Sequence, residues 1–201
     1  MADPVAGFSL AFSIFTFILL FAYISGEKVW FKSFSWRLFR RSSISESELE
    51  RFIFLLCDTL MKLSKKKVGL LVVIEKHDNL QKYINLGFQV KSKFFPEFLY
   101  NIFLNKESSM HDGGVIIRGL EILSVSSYFP INSDRNIPKE FGSRHRAAIG
   151  ISSRTDAIAL LVSESSGKIM YAQAGKITEL NKDNIAVLSK ELSKLLEFYV
   201  K

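Results

Sequence analysis

MHDGGVIIRG, residues 110–119, runs straight into LEILSVSSY, residues 120–128, and this stretch decides the fold. An acid, Asp112, stands before two glycines, Gly113 and Gly114, and an apolar β-branched run follows from Val115 to Ile117. Two short apolar runs separated by a glycine read as neighbouring strands of a sheet. About thirty residues further on comes GSRHRAAIGIS, residues 142–152, in which Arg144 and Arg146 flank His145 behind Ser143. Its small residues Ala147, Ala148 and Gly150 suit a tightly packed helix start, a place where backbone N–H groups and guanidinium forks receive phosphate. Taken singly, each motif is ambiguous. Asp-Gly-Gly reads as a turn, Arg-His-Arg as a solvated basic patch or a nucleic-acid contact, and His145 as a core or surface histidine. Asp112 and Arg144 to Arg146 lie on either side of the two strand-like runs, so hairpin folding can bring them to one edge of a sheet.

The two motifs together resemble the signatures of the diadenylate cyclases, an Asp-Gly-Ala turn and an Arg-His-Arg motif. The likeness covers residues 68–177 in order and spacing. Tyr128-Phe129-Pro130 closes the second apolar run; Thr155-Asp156-Ala157, the strand-like residues 157–164 and a Ser-Gly-Lys turn follow. Gly114 stands where alanine is usual, Ser143 where threonine is usual, and Ser153 where many members carry an acid. Glycine still permits close approach and serine still offers a hydroxyl.

The chain has 201 residues and a net charge of +7, enough for one sizeable core and a bias toward anionic partners. The single cysteine, Cys57, excludes an internal disulfide, and among Leu55, Leu56 and Leu60 it reads as a buried thiol of a reducing compartment. Residues 5–24 carry no charge and are long enough, at roughly 30 Å, to cross a bilayer as one helix. Lys28, Lys32, Arg37, Arg40 and Arg41, mixed with Trp30, Phe31, Phe34 and Trp36, flank that run on its C-terminal side. The charge asymmetry places the body of the protein in the cytoplasm as a single-pass protein of the cell membrane. A signal peptide would need a basic start and a shorter apolar core.

Three parts follow: residues 1–26 as a transmembrane helix, 27–64 as a basic juxtamembrane segment with an amphipathic linker helix, and 65–201 as a catalytic domain. Within 45–64, Ser45 and Glu48 have capping-box spacing and Leu49, Phe52, Ile53, Leu56, Leu60 and Leu63 form the apolar stripe. Strands are expected over 68–75, 115–118, 120–128, 157–163 and 169–174, and helices over 96–105, from 142 and over 184–199. The fold class is α/β (α+β), a mixed central sheet flanked by helices with one N-terminal transmembrane helix.

The resemblance implies a function: two ATP condense into cyclic di-AMP and two pyrophosphates across a face-to-face homodimer. It implies catalytic roles for Asp112, Arg144, His145 and Arg146, and ATP contacts from Gly113, Gly114, Tyr128, Phe129, Ser143, Ser163 and Glu164. On a strand Tyr128 and Phe129 must point to opposite faces, so the alternative is that one of the two is core; Tyr128 is the one expected on the base. A divalent cation, Mn²⁺, Mg²⁺ or Co²⁺, would be held by His111, Asp112 and Glu164; without the family, His111 reads as a strand-end histidine and Glu164 as a solvated turn acid. The partners expected are ATP, a second copy and membrane lipid, with no nucleic acid. The single apolar segment matches the single-span, mycoplasma-type members of this family. A membrane-tethered nucleotide sensor without turnover and a basic nucleic-acid-binding module are the alternatives.

Overall fold

The computed structural model describes residues 12–17, 20, 44–132, 138 and 140–199. The chain divides into two compact units, Met1–Ser42 and Ser43–Lys201. In the first, residues 12–17 and 20 are helical, and the rest of the expected membrane segment lies outside the described residues. No helix among the described residues is long and apolar enough to cross a membrane.

The second unit opens with α1 (Glu46–Lys65). Ser45 Oγ accepts the Glu48 N–H, and the Glu48 carboxylate accepts the Ser45 N–H, closing the capping box that the spacing predicts. Strand β1 (Leu70–Glu75) follows and is buried on both faces. Next come α2 (Gln81–Ile84), β2 (Phe88–Lys93) and α3 (Pro96–Leu104), the last with proline in its first turn. Strands β3 (Gly114–Arg118) and β4 (Glu121–Ser127) form a hairpin turned at Gly119. Helix α4 (Ser143–Ser152), β5 (Ile158–Val162), β6 (Ile169–Gln173), β7 (Lys176–Glu179) and α5 (Ile185–Leu196) complete the unit.

The seven strands form one mixed sheet in the order β2-β4-β3-β1-β5-β6-β7. Only β1 and β3 run parallel, and α2, β2 and α3 make the crossover between them. Alternation along β1 divides the core. Leu70, Val72 and Ile74 face a cluster shared with α1, α3 and α5, while Leu71 and Val73 face one shared with α2 and α4. Helix α1 contributes Leu49, Phe52, Ile53, Leu56, Leu60 and Leu63 to the first cluster.

The edge strands β2 and β7 and the short α2 carry little apolar alternation, and their side chains are mostly exposed or half-buried. The run expected to be strand through Tyr128 pairs only as far as Ser127, and the C-terminal helix passes into a 3₁₀ turn at Glu197–Tyr199.

Candidate active site

Register decides what meets at one edge of the sheet. Val72 pairs with Val115 in the parallel β1/β3 ladder, so the count carried back sets Gly69 beside Asp112. Leu70 pairs with Val162, so β5 runs out at the same edge and delivers Ser163 and Glu164 there. In β4 the pairing shifts from Ile116↔Ser124 to Gly114↔Ser127, one residue more than a regular ladder gives. This bulge, with Ser126 at φ 54°, brings Tyr128 alongside Gly113.

Asp112 ends a 3₁₀ turn (Ser109–His111) and is capped by its own surroundings: Oδ1 accepts the Gly113 N–H at 2.9 Å and Oδ2 accepts the Tyr128 hydroxyl at 3.3 Å. Gly113 has φ +70°, and a Cβ there would lie 2.5 Å from the Ser127 carbonyl, so glycine is required. Gly114 begins β3 against Leu71 and Phe129. Tyr128 is 56% exposed, whereas Phe129 is buried in the core cluster beneath α4. The two aromatics therefore part company, and only Tyr128 offers a face to a ligand. Beside Asp112 and Tyr128 opens a cavity of about 290 Å³, walled also by Leu86 and Phe88, with Asn85, Ser109 and Ser126 as polar lining.

Helix α4 supplies the cations. Gly142 caps it without a side-chain hydrogen bond and no acid stands in the first turn, so the leading N–H groups remain available to an anion. The helix lies hard against the segment after β4: a Cβ on Gly150 would fall 1.8 Å from the Pro130 carbonyl oxygen, and Asn132 N–H donates to the Arg146 carbonyl at 3.1 Å. Arg144 reaches back to the sheet edge. Its Nη2 donates to the His111 carbonyl at 3.0 Å, its Nη1 lies 3.4 Å from Glu164 Oε2, and its guanidinium covers the Phe103 ring at 5.9 Å. Its Nε is buried without a partner. Burial lowers the Arg144 pKa while the charges of Glu164 and Asp112 raise it; a guanidinium so placed remains a cation.

His145 is buried and stacks on Phe141 at 4.6 Å, and burial pulls its pKa down. It anchors the motif as packing, between two half-buried arginines. Arg146 donates from Nε to the Phe141 carbonyl at 3.2 Å, and Ser143 is exposed at the first helical position. Ser163 is buried in the turn after β5, where its hydroxyl meets Ser165 Oγ and accepts the Ser166 N–H. Glu164 is held by Lys106 and Arg144; the hydrogen bond from Lys106 is the largest cause of its lowered pKa.

For a divalent cation the donor chemistry fits in part. His111 Nδ1 lies 2.8 Å from the Ser108 carbonyl, the arrangement that leaves Nε2 as a lone-pair donor. Asp112 adds a carboxylate, and an Mg²⁺-like ion needs only one or two of these besides substrate phosphates. Among the described residues no group of three or more such side chains stands ready to hold an ion, and Glu164 is paired with Lys106 and Arg144. Lys106, Phe103 and the cavity wall at Leu86 and Phe88 were not legible as site residues in the sequence: Phe103 falls in a helix expected only as packing, and the others lie outside any motif.

Open N–H groups and arginines at a helix start, with a cavity at the same sheet edge, are an arrangement found in nucleotide-binding α/β domains. The family described as DisA bacterial checkpoint controller nucleotide-binding (DAC) matches residues 57–177, and the chain belongs to it. The diadenylate cyclase of Mycoplasma genitalium is 40% identical over 168 residues, 84% of this chain and 84% of that protein. A crystal structure of a double-cysteine variant of DacA from Staphylococcus aureus superposes with a TM-score of 0.69 at 32% identity, covering 74% of this chain and 97% of that one. A second structure, that of a hypothetical membrane spanning protein from Bacillus cereus, gives a TM-score of 0.60 at 31% identity, covering 63% of this chain and 62% of that one.

Proposed function

We propose that this chain is a diadenylate cyclase, condensing two ATP into cyclic di-AMP with release of two pyrophosphates. The observation that carries the reading is the meeting of Asp112, Tyr128 and the cavity with the Arg144 side chain at one sheet edge, in a chain of the DAC family.

The exposed Tyr128 ring and the apolar wall cover an adenine. Arg144, Arg146, the Ser143 hydroxyl and the free N–H groups of α4 receive the phosphates and the charge that develops as pyrophosphate leaves. Asp112 lies at the ribose 3′-hydroxyl and takes up its proton as that oxygen bonds to the α-phosphorus of the other ATP and the bond to pyrophosphate breaks. His145 keeps both arginines in place. A divalent cation, Mn²⁺, Mg²⁺ or Co²⁺, would be held by His111, Asp112 and Glu164 and would supply Lewis-acid stabilisation of phosphate charge.

Ring closure takes two such attacks, so two copies present their sites face to face, each with one ATP. The protein is anchored by one helix at residues 5–24 with residues 65–201 as the cyclase in the cytoplasm. Supporting this are the uncharged run, the basic flank, and the outward-facing Phe12, Phe15 and Phe17 of the described helical residues. The test is incubation of the full-length protein, in detergent, with ATP and Mn²⁺, followed by mass spectrometry. Cyclic di-AMP is the expected product. No nucleotide product, or only linear dinucleotide from the unmodified protein, overturns the assignment.

A further inference from the structure

Lys106, in the loop after α3, pairs with the Glu164 carboxylate that also faces Arg144. One acid is thus shared by two cations at the rim of the phosphate site, and the two cations are held very differently. Arg144 is fixed by the His111 carbonyl, by the Phe103 ring and by the close approach of Gly69, where a Cβ would lie 2.6 Å from Nη1. Lys106 is 59% exposed and Glu164 51% exposed, so their pair is solvated and easily exchanged. Two lysines near the turn after β5 are committed elsewhere. Lys182 donates to Ser64 Oγ and the Gly167 carbonyl, and Lys168 pairs with Glu179.

A carboxylate between two cations holds the place that a phosphate oxygen takes when substrate arrives. Lysine suits an exchange of this kind, being a point charge on a flexible stem with no required fork geometry. We propose that Lys106 is a polyphosphate-positioning residue that changes partners: it pairs with Glu164 in the empty site and passes to the β- or γ-phosphate of bound ATP, leaving Glu164 free for a divalent cation. The inference rests on the cyclase reading, to which it adds a residue and an order of events.

The full-length protein in detergent carries the test, with two equilibrium readouts that need no turnover. ATP binding is measured without metal by equilibrium dialysis, and Mn²⁺ binding is measured without nucleotide from the free-ion electron paramagnetic resonance signal. Lys106→Met should weaken ATP binding by about tenfold, as loss of one charge-assisted contact does, and should tighten Mn²⁺ binding by roughly threefold because Glu164 loses its competitor. Lys106→Arg should restore ATP binding. A surface pair with only a structural role would move the melting temperature and neither affinity. Unchanged ATP binding in Lys106→Met overturns the inference whatever the Mn²⁺ result, and so does weaker Mn²⁺ binding. Product analysis of the unmodified protein remains separate: absence of cyclic di-AMP there strikes the cyclase reading, while unchanged affinities in Lys106→Met alongside normal product strike only this step.

Discussion

Arg144 and Arg146 stand two positions apart on one helix and are tied down unequally. Arg144 spans from α4 to the β3 edge and covers Phe103, whereas among the described residues Arg146 bonds to the Phe141 carbonyl of its own approach segment. Each is expected to lose a phosphate contact worth about 1.5–3 kcal/mol when replaced by alanine, so turnover should fall roughly tenfold or more in both. Arg144→Ala should also lower the melting temperature of the ligand-free protein, and Arg146→Ala should lower it less; equal melting temperatures with equal loss of turnover would show that Arg144 does not brace the edge. His145 gives a pH signature. Burial depresses its folded pKa, so its neutral form contributes stability that is present above the unfolded value of about 6.5 and is lost as the pH falls through the lower folded value. Thermal melts from neutral pH downward should therefore fall more steeply for the parent than for His145→Gln. Cys57 behaves oppositely as an acid: burial pushes its thiol up to about 11, and a thiol reagent at mildly alkaline pH should label it only as the protein unfolds.

The elements show how far a sequence can be read and where it goes quiet. Helix α1, strands β1, β3 and β5, and the start of α4 were legible because each carries a strong period, cap or motif: the Ser45–Glu48 box, the unbroken apolar run of β1, the small residues behind Arg146. Strands β2 and β7 were not, since an edge strand buries too little to impose alternation on its residues. The bulge at Ser126 was also invisible, because its positive φ falls on an ordinary serine, yet it is what delivers Tyr128 to Asp112. Asp112, Tyr128, Arg144 and Glu164 gather at one edge, while His145, Phe129 and Ser163 turn inward because the chain there must fill the core and close a turn. The small-residue reading of α4 has a sharp consequence at Gly150, which packs on a backbone carbonyl that cannot rotate aside. Gly150→Ala should cost about 1–3 kcal/mol by overpacking and push the helix start off the sheet edge. A melting curve and an ATP-binding measurement on that variant check both effects; parental values in each would show that the 130–132 segment yields freely.

At the scale of the whole molecule the site is an open edge, with Asp112 exposed and the cavity beside it facing away from the core. On the proposed mechanism one copy presents an ATP there, and the attacking hydroxyl of that ATP reaches an α-phosphorus held by a second copy. Asp112→Asn preserves size and most hydrogen bonding while removing the carboxylate proposed as the base, so ATP should still bind and chemistry should stop. A pair made of one parental and one Asp112→Asn copy retains a single working carboxylate and can form at most one of the two bonds. Mixed with the parental protein in equal amounts, the variant should leave about half of the active copies in such pairs if pairing is random. Cyclic di-AMP formation per active copy should then drop by about that fraction, falling further as the variant is added in excess, and linear dinucleotide should accumulate in its place. Mass spectrometry of the mixture reads both products at once. Cyclic product that stays constant per active copy across the titration, or an unmodified protein that cyclises ATP while sedimenting as a monomer, would mean that both bonds are made within one copy.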